Sequence, residues 1–108
     1  MNSKELLFKA LKAEKTSRTP WVPFVGCHAG SLIGVTAKEY LQSETHIVYG
    51  LNEAIKRYKP DGIPIVFDLQ IEAEVLGCKL NWTDDNPPAV VSHPLAEGIS
   101  LKDLNIPE

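Results

Sequence analysis

The stretch Asp61-Gly62-Ile63-Pro64-Ile65-Val66-Phe67-Asp68 constrains this chain most. It is an apolar run with a turn before it and a carboxylate after it, the pattern of a buried strand with Asp68 at its carboxyl end. A helix-period pattern precedes it and a shorter one follows. That order is a βα repeat, and βα repeats build parallel sheets. In parallel α/β folds chemistry gathers where strands end, so Asp68 is the first candidate for a functional side chain. An Asp just before a helix also serves as a cap, and the two roles are compatible.

The rest of the chain fits the same alternation. Asn2 to Lys15 reads as a helix, with Asn2 and Glu5 as a capping box and Leu6, Leu7, Ala10 and Leu11 as its apolar stripe. Trp21 to Val25 reads as a first strand, with Pro23 favouring an edge position. Gly26 to Val35 holds three glycines and reads as a loop leaving the carboxyl end of that strand, the edge where Asp68 also stands. Thr36 with Glu39 forms a second capping box, opening a short helix over Ala37 to Gln42. Ser43 caps a longer helix, Glu44 to Tyr58, with Ile47, Leu51, Ala54, Ile55 and Tyr58 on its buried face. Gln70 to Leu76 is a short helix closed by Gly77. Cys78 to Trp82 alternates like a strand, Thr83 to Pro88 is turn-rich, and Ala89 to Val91 is a second short strand. Ser100 caps a last turn through Leu104.

Composition narrows the function. The chain has 108 residues, 44% apolar and 23% charged, an ordinary globular balance for one domain. A net charge of −3 with no Lys/Arg cluster argues against nucleic acid. No long apolar run is present, which argues against a membrane span. Cys27 and Cys78 make no disulfide framework, and a reducing cytoplasmic setting is expected. The strands countable here are too few for a parallel sheet to cover both faces. The chain therefore reads as α/β, and as the truncated amino-terminal part of a larger protein. Unpaired strand edges and apolar faces lead us to expect poor stability or self-association, a homodimer being the simplest form.

Other constellations are weaker. Cys27-His28, with Cys78, invites zinc, but adjacent ligands do not match the spacing of a structural site. A small buried cysteine and a loop histidine describe them better. The glycines at 26, 30 and 34 are not a dinucleotide fingerprint, which needs G-x-G-x-x-G with a helix opening at once. His46, Glu72 and Glu74 read as solvated helix-face residues, and Trp21 and Trp82 as packing anchors. His93, in a loop before Pro94, carries no assignment.

Taken in order, Pro20-Trp21-Val22-Pro23-Phe24, the Ala29-Gly30 loop, Tyr58-Lys59-Pro60-Asp61-Gly62, and Val66-Phe67-Asp68 with Glu74-Val75-Leu76-Gly77-Cys78 resemble the uroporphyrinogen decarboxylase superfamily. The likeness runs from about Leu6 to Pro107, and Pro87 to Pro94 resembles the connector after the family's second barrel strand. It implies a (β/α)8 TIM barrel, of which residues 1–108 would be the amino-terminal portion, since such barrels need about 250 residues. Decarboxylases of the family carry Arg-Gln-Ala-Gly-Arg after the first strand, whose arginines hold substrate carboxylates, and an aspartate after the second strand that meets pyrrole N–H groups. Asp68 matches that aspartate. The loop here is Cys27-His28-Ala29-Gly30-Ser31, without either arginine, and so without the bidentate clamps that many carboxylates require.

The small loop, Phe67-Asp68-Leu69 and Glu72 to Gly77 are more similar to the corrinoid-dependent methyltransferases of the same superfamily, such as methylcobamide:coenzyme M methyltransferases. The resemblance then implies methyl transfer between a corrinoid protein and a thiol or related acceptor. It also implies a zinc that makes the thiol nucleophilic, held by ligands in later parts of the barrel. Asp68 would be the catalytic candidate. Cys27, His28, Ala29, Gly30 and Ser31 would line the substrate-binding mouth toward the tetrapyrrole. The rivals are porphyrinogen decarboxylation with an altered clamp, and a non-catalytic binding module.

Overall fold

A computed structural model describes residues 1–66 and 68–108. Its helices are α1 (Ser3–Leu11), α2 (His28–Leu32), α3 (Ala37–Leu41), α4 (Glu44–Tyr58) and α5 (Ile71–Val75). Two short strands, β1 (Lys79–Asn81) and β2 (Ala89–Ser92), precede 3₁₀ turns at Pro94–Glu97 and Leu101–Asp103.

The caps form as their residue types dictate. The Asn2 side chain accepts from the Glu5 amide, and the Glu5 carboxylate returns the bond at the Asn2 amide. α1 ends at Leu11, four residues before the expected Lys15, because Ala13 turns into the left-handed region at φ 57°. Thr36 and Ser43 accept from the amides of Glu39 and His46, opening α3 and α4 at the expected places. Lys59, left-handed at φ 48°, closes α4. Ser100 precedes its turn without a side-chain capping bond.

Two expectations are corrected. Gly26 to Val35 is not a plain loop: it folds around α2, between Gly26 at φ 52° and Gly34 at φ 77°. The segments at 21–25 and 61–66 are assigned no strand among the described residues, and the chain bends at Asp61 and Ile65. Phe67, part of the expected second strand, lies outside them. Asp61 still donates its amide to the Trp21 carbonyl at 2.9 Å. Around that bond Pro20, Pro23, Pro60 and Pro64 supply no amide hydrogen to a ladder. The strands that do pair among the described residues, β1 and β2, are antiparallel, with Leu80 opposite Val90, Asn81 opposite Ala89 and a bulge beside Lys79. The expected parallel pairing is not seen among the described residues.

The best-packed part is the unit of α2, α3 and α4. Its buried residues are Ala29, Gly30, Ala37, Tyr40, Gly50, Leu51 and Ala54, with Leu6 of α1 buried separately. Ile55 and Tyr58, expected on the buried face of α4, are exposed, because no further layer covers that part of the helix. Trp21, expected as a packing anchor, is 51% exposed. Phe24, Ile65, Leu69, Leu101 and Ile106 are each at least 70% exposed.

The radius of gyration is 18.1 Å, against about 13 Å for a compact domain of this length. The accessible surface is 7842 Å², against about 6,000 Å² for a compact monomer of this mass. The excess is comparable to what a stable protein–protein interface buries, about 1,200–2,000 Å². A second copy offers an identical apolar surface to cover it. The chain on its own should therefore sediment as dimers and larger species. A single monomer boundary would show that the exposed faces need no cover.

Candidate functional site

α2 presents the Cys27-to-Ser31 segment in two directions. Ala29 and Gly30 are buried, with Gly30 against Tyr40 of α3 and the Ala29 carbonyl close to Gly50 of α4. They hold α2 onto its neighbours. Cys27, His28 and Ser31 face a cleft of about 590 Å³, whose other polar groups come from Thr36, Asp84 and Asp85. No lysine or arginine lines it. The amide of Ala37 donates to the Asp84 carbonyl at 2.8 Å, which pins the 83–88 loop to the start of α3.

The chemistry of each wall residue follows from its neighbours. Burial pushes the Cys27 thiol up, more than its backbone hydrogen bond lowers it. Cys27 therefore stays a neutral thiol near pH 7 and is a poor nucleophile. Burial also raises the Tyr40 hydroxyl, with the Cys27 charge a smaller cause. Both cysteines are free thiols. His28 Nε2 lies 2.6 Å from the Tyr58 hydroxyl, and the two rings stack with centroids 5.8 Å apart. The Ser31 hydroxyl donates to the His28 carbonyl at 2.7 Å and sits 3.4 Å from His28 Nδ1.

Asp68 stands elsewhere. Its Oδ1 accepts from the Gln70 amide at 2.8 Å, a local turn that delivers the chain into α5. The carboxylate borders a separate cleft of about 610 Å³ with Leu41, Gln42, Glu74 and Trp82. The structure does not bring Asp68 and the Cys27-to-Ser31 segment into one cavity. The two clefts open at opposite ends of α3, Thr36 and Ala37 bordering one, Leu41 and Gln42 the other.

Sequence reading did not find Tyr58, Thr36, Asp84 or Asp85 as site residues. Tyr58 was read as core, and the pairing with His28 joins positions thirty apart on different helices. Asp84 and Asp85 carried only a turn signal. His46, read as solvated, is half-buried, its Nδ1 3.1 Å from the Glu39 carbonyl. Among the described residues no three His, Cys, Asp or Glu come close enough to hold a metal ion. These residues do not fit zinc, and no step is assigned to it. No helix among the described residues is long and apolar enough to cross a membrane.

Comparison with known families gives one result. The model of the family described as "Uroporphyrinogen decarboxylase (URO-D)" matches residues 2–108. No curated protein and no solved structure matched the chain.

Proposed function

The chain belongs to the uroporphyrinogen decarboxylase family, whose fold is a TIM barrel, and on that premise we propose that it serves corrinoid-dependent methyl transfer rather than porphyrinogen decarboxylation. The observation that carries this reading is the charge of the α2 cleft. It holds Asp84 and Asp85, the thiol of Cys27, the imidazole of His28 and the hydroxyls of Ser31 and Thr36, and among the described residues no lysine or arginine. Uroporphyrinogen is a multiply charged carboxylate. Each of its carboxylates brought to about 5 Å from an aspartate costs about 3 kcal/mol at an effective dielectric of about 20. A corrinoid instead carries carboxamides around its ring. These are neutral, and hydroxyl, imidazole and carboxylate groups satisfy them by hydrogen bonds. The α2 cleft suits the second ligand and repels the first. In this reading the ring spans α3, with Asp68 at its far side as the catalytic candidate.

Calorimetric titration with cyanocobalamin and with uroporphyrin tests the reading. Wild type should bind the corrinoid and reject the porphyrin. Ser31→Arg, which restores one cation of the decarboxylase loop, should raise porphyrin affinity. Preference for uroporphyrin in wild type would return the chain to decarboxylase chemistry. Binding of neither would leave the non-catalytic module.

Asp68→Asn separates the two roles of that residue. Asn keeps an oxygen for the Gln70 amide, and Asn caps as well as Asp. Charge-assisted bonds to a ligand would be weakened by about 1.5–3 kcal/mol, an order of magnitude or more in affinity. An unchanged titration with an unchanged melt would reduce Asp68 to the turn it makes.

A further inference from the structure

We infer that Tyr58 is a positioning residue that locks neutral His28 in its Nδ1–H tautomer, so that the α2 cleft presents an imidazole N–H donor to a carboxamide-bearing ligand. The choice of ligand class rests on the corrinoid reading of that cleft; the lock itself does not.

Hydrogen-bond accounting carries the assignment. A serine hydroxyl has one hydrogen to give. Ser31 gives it to the His28 carbonyl at 2.7 Å, a close contact. The same oxygen lies 3.4 Å from His28 Nδ1 and has only lone pairs left for it. A bare Nδ1 would face a lone pair there, whereas a hydrogen on Nδ1 turns the contact into a donation, so the hydrogen is assigned to Nδ1. In a neutral imidazole the other nitrogen is then an acceptor. That nitrogen, Nε2, faces the Tyr58 hydroxyl at 2.6 Å, so Tyr58 donates and Nε2 accepts. The circuit runs in one direction: Tyr58 hydroxyl to Nε2, Nδ1–H to Ser31, Ser31 hydroxyl to the His28 carbonyl. The reverse circuit would take the Ser31 hydrogen from the His28 carbonyl at 2.7 Å and give it to Nδ1 at 3.4 Å, a poorer bond. The stacked rings hold the imidazole plane while the hydroxyl selects the nitrogen.

The functional consequence follows from the lengths. Nε2 is engaged by a short bond and is not available as a general base. The Nδ1–H contact to Ser31 is long and weak, and His28 and Ser31 both border the cleft. That N–H is therefore open to a better acceptor lying along its direction, such as the carbonyl oxygen of a ligand carboxamide. Solvated neutral imidazole prefers the opposite tautomer, so the lock is a property of the fold.

The test is nitrogen-15 NMR of the His28 ring in the unliganded chain, above the pH at which the ring is neutral. Wild type should show Nδ1 protonated and Nε2 as the bare, hydrogen-bonded nitrogen. Tyr58→Phe keeps the stack and removes the hydroxyl, and its ring should move toward the Nε2–H form. Near-unchanged amide spectra elsewhere would show that the variant folds as wild type does. An Nε2–H ring in wild type, or a tautomer indifferent to Tyr58→Phe, overturns the inference. Cyanocobalamin titration of the same samples then reads the ligand clause. Tyr58→Phe should bind about two- to tenfold more weakly, the worth of one neutral hydrogen bond. Equal binding by the two proteins overturns the donor role. If wild type binds no cobalamin while the tautomer still depends on Tyr58, the corrinoid reading fails and the lock stands.

Discussion

Gly50→Leu should abolish the packed unit of α2, α3 and α4 and with it the α2 cleft. Gly50 is buried in the middle of α4. A Cβ placed there would stand 2.8 Å from the Ala29 carbonyl oxygen and 2.8 Å from Cε2 of Tyr40. The first obstacle is backbone and cannot swing aside. Replacing glycine by alanine in a helix normally gains up to about 1 kcal/mol. Overpacking a closed interior costs about 1–3 kcal/mol, so Gly50→Ala should come out destabilised despite its better helix propensity. Gly50→Leu adds three more heavy atoms where one does not fit. Few residues are buried among the described ones, so little stability remains to absorb that loss. Far-UV and near-UV dichroism on heating would measure it. Native-like near-UV signal in Gly50→Leu, or a Gly50→Ala that melts above wild type, would mean that α2 does not seat on α4 as described.

What the sequence disclosed follows the reach of each signal. α4 was legible to the residue, because Ser43, the basic last turn and Pro60 are local instructions that a helix obeys alone. The ends of α3 and α5 were nearly as clear, whereas the glycines around α2 gave it the signature of a loop. Strand pairing was not, because it depends on partners. Trp21 to Val25 and Ile63 to Val66 have strand composition, yet four prolines withhold amide hydrogens there and no strand is assigned to either among the described residues. The modest alternation at Lys79–Asn81 and Ala89–Ser92 found a partner within hairpin distance and paired. The site divides similarly. That Cys27, His28 and Ser31 line a cleft was foreseeable from the glycines around them. That Asp68 borders a different one depends on where α3 lies, which no local pattern states. The Tyr58–His28 contact likewise arises only when α4 crosses α2.

Asp61→Ala should be the most disruptive single substitution of a charged residue, and the wild-type chain should lose stability in acid largely through this side chain. Sequence reading placed Asp61 in a turn. In the fold it is a junction. Arg18 grips both carboxylate oxygens, Nη1 to Oδ2 at 2.7 Å and Nη2 to Oδ1 at 2.6 Å. The Ser3 hydroxyl donates to Oδ1 and the Trp21 amide to Oδ2, each at 2.8 Å. The carboxylate thus ties the start of α1, the connector through Arg18 and the extended segment from Trp21 to the end of α4. Its side chain is 3% exposed while that of Arg18 is 58% exposed, so removing the carboxylate strands the covered partners and leaves the arginine to water. The Arg18 bonds, then the Trp21 amide and the Ser3 hydroxyl, hold the Asp61 carboxyl well below the usual carboxylate range. A depressed native value fixes the sign: the contribution is full above the unfolded value, about 4, and declines as pH falls from there toward the native one. Urea midpoints between neutral pH and pH 3 should therefore fall in wild type. In Asp61→Asn they should start lower at neutral pH and fall less. Asn preserves shape and one acceptor, so the difference between the two curves isolates the charge from the packing. Parallel curves for wild type and Asp61→Asn would mean that the junction contributes its geometry and not its charge. An unchanged midpoint in Asp61→Ala would remove it from the architecture altogether.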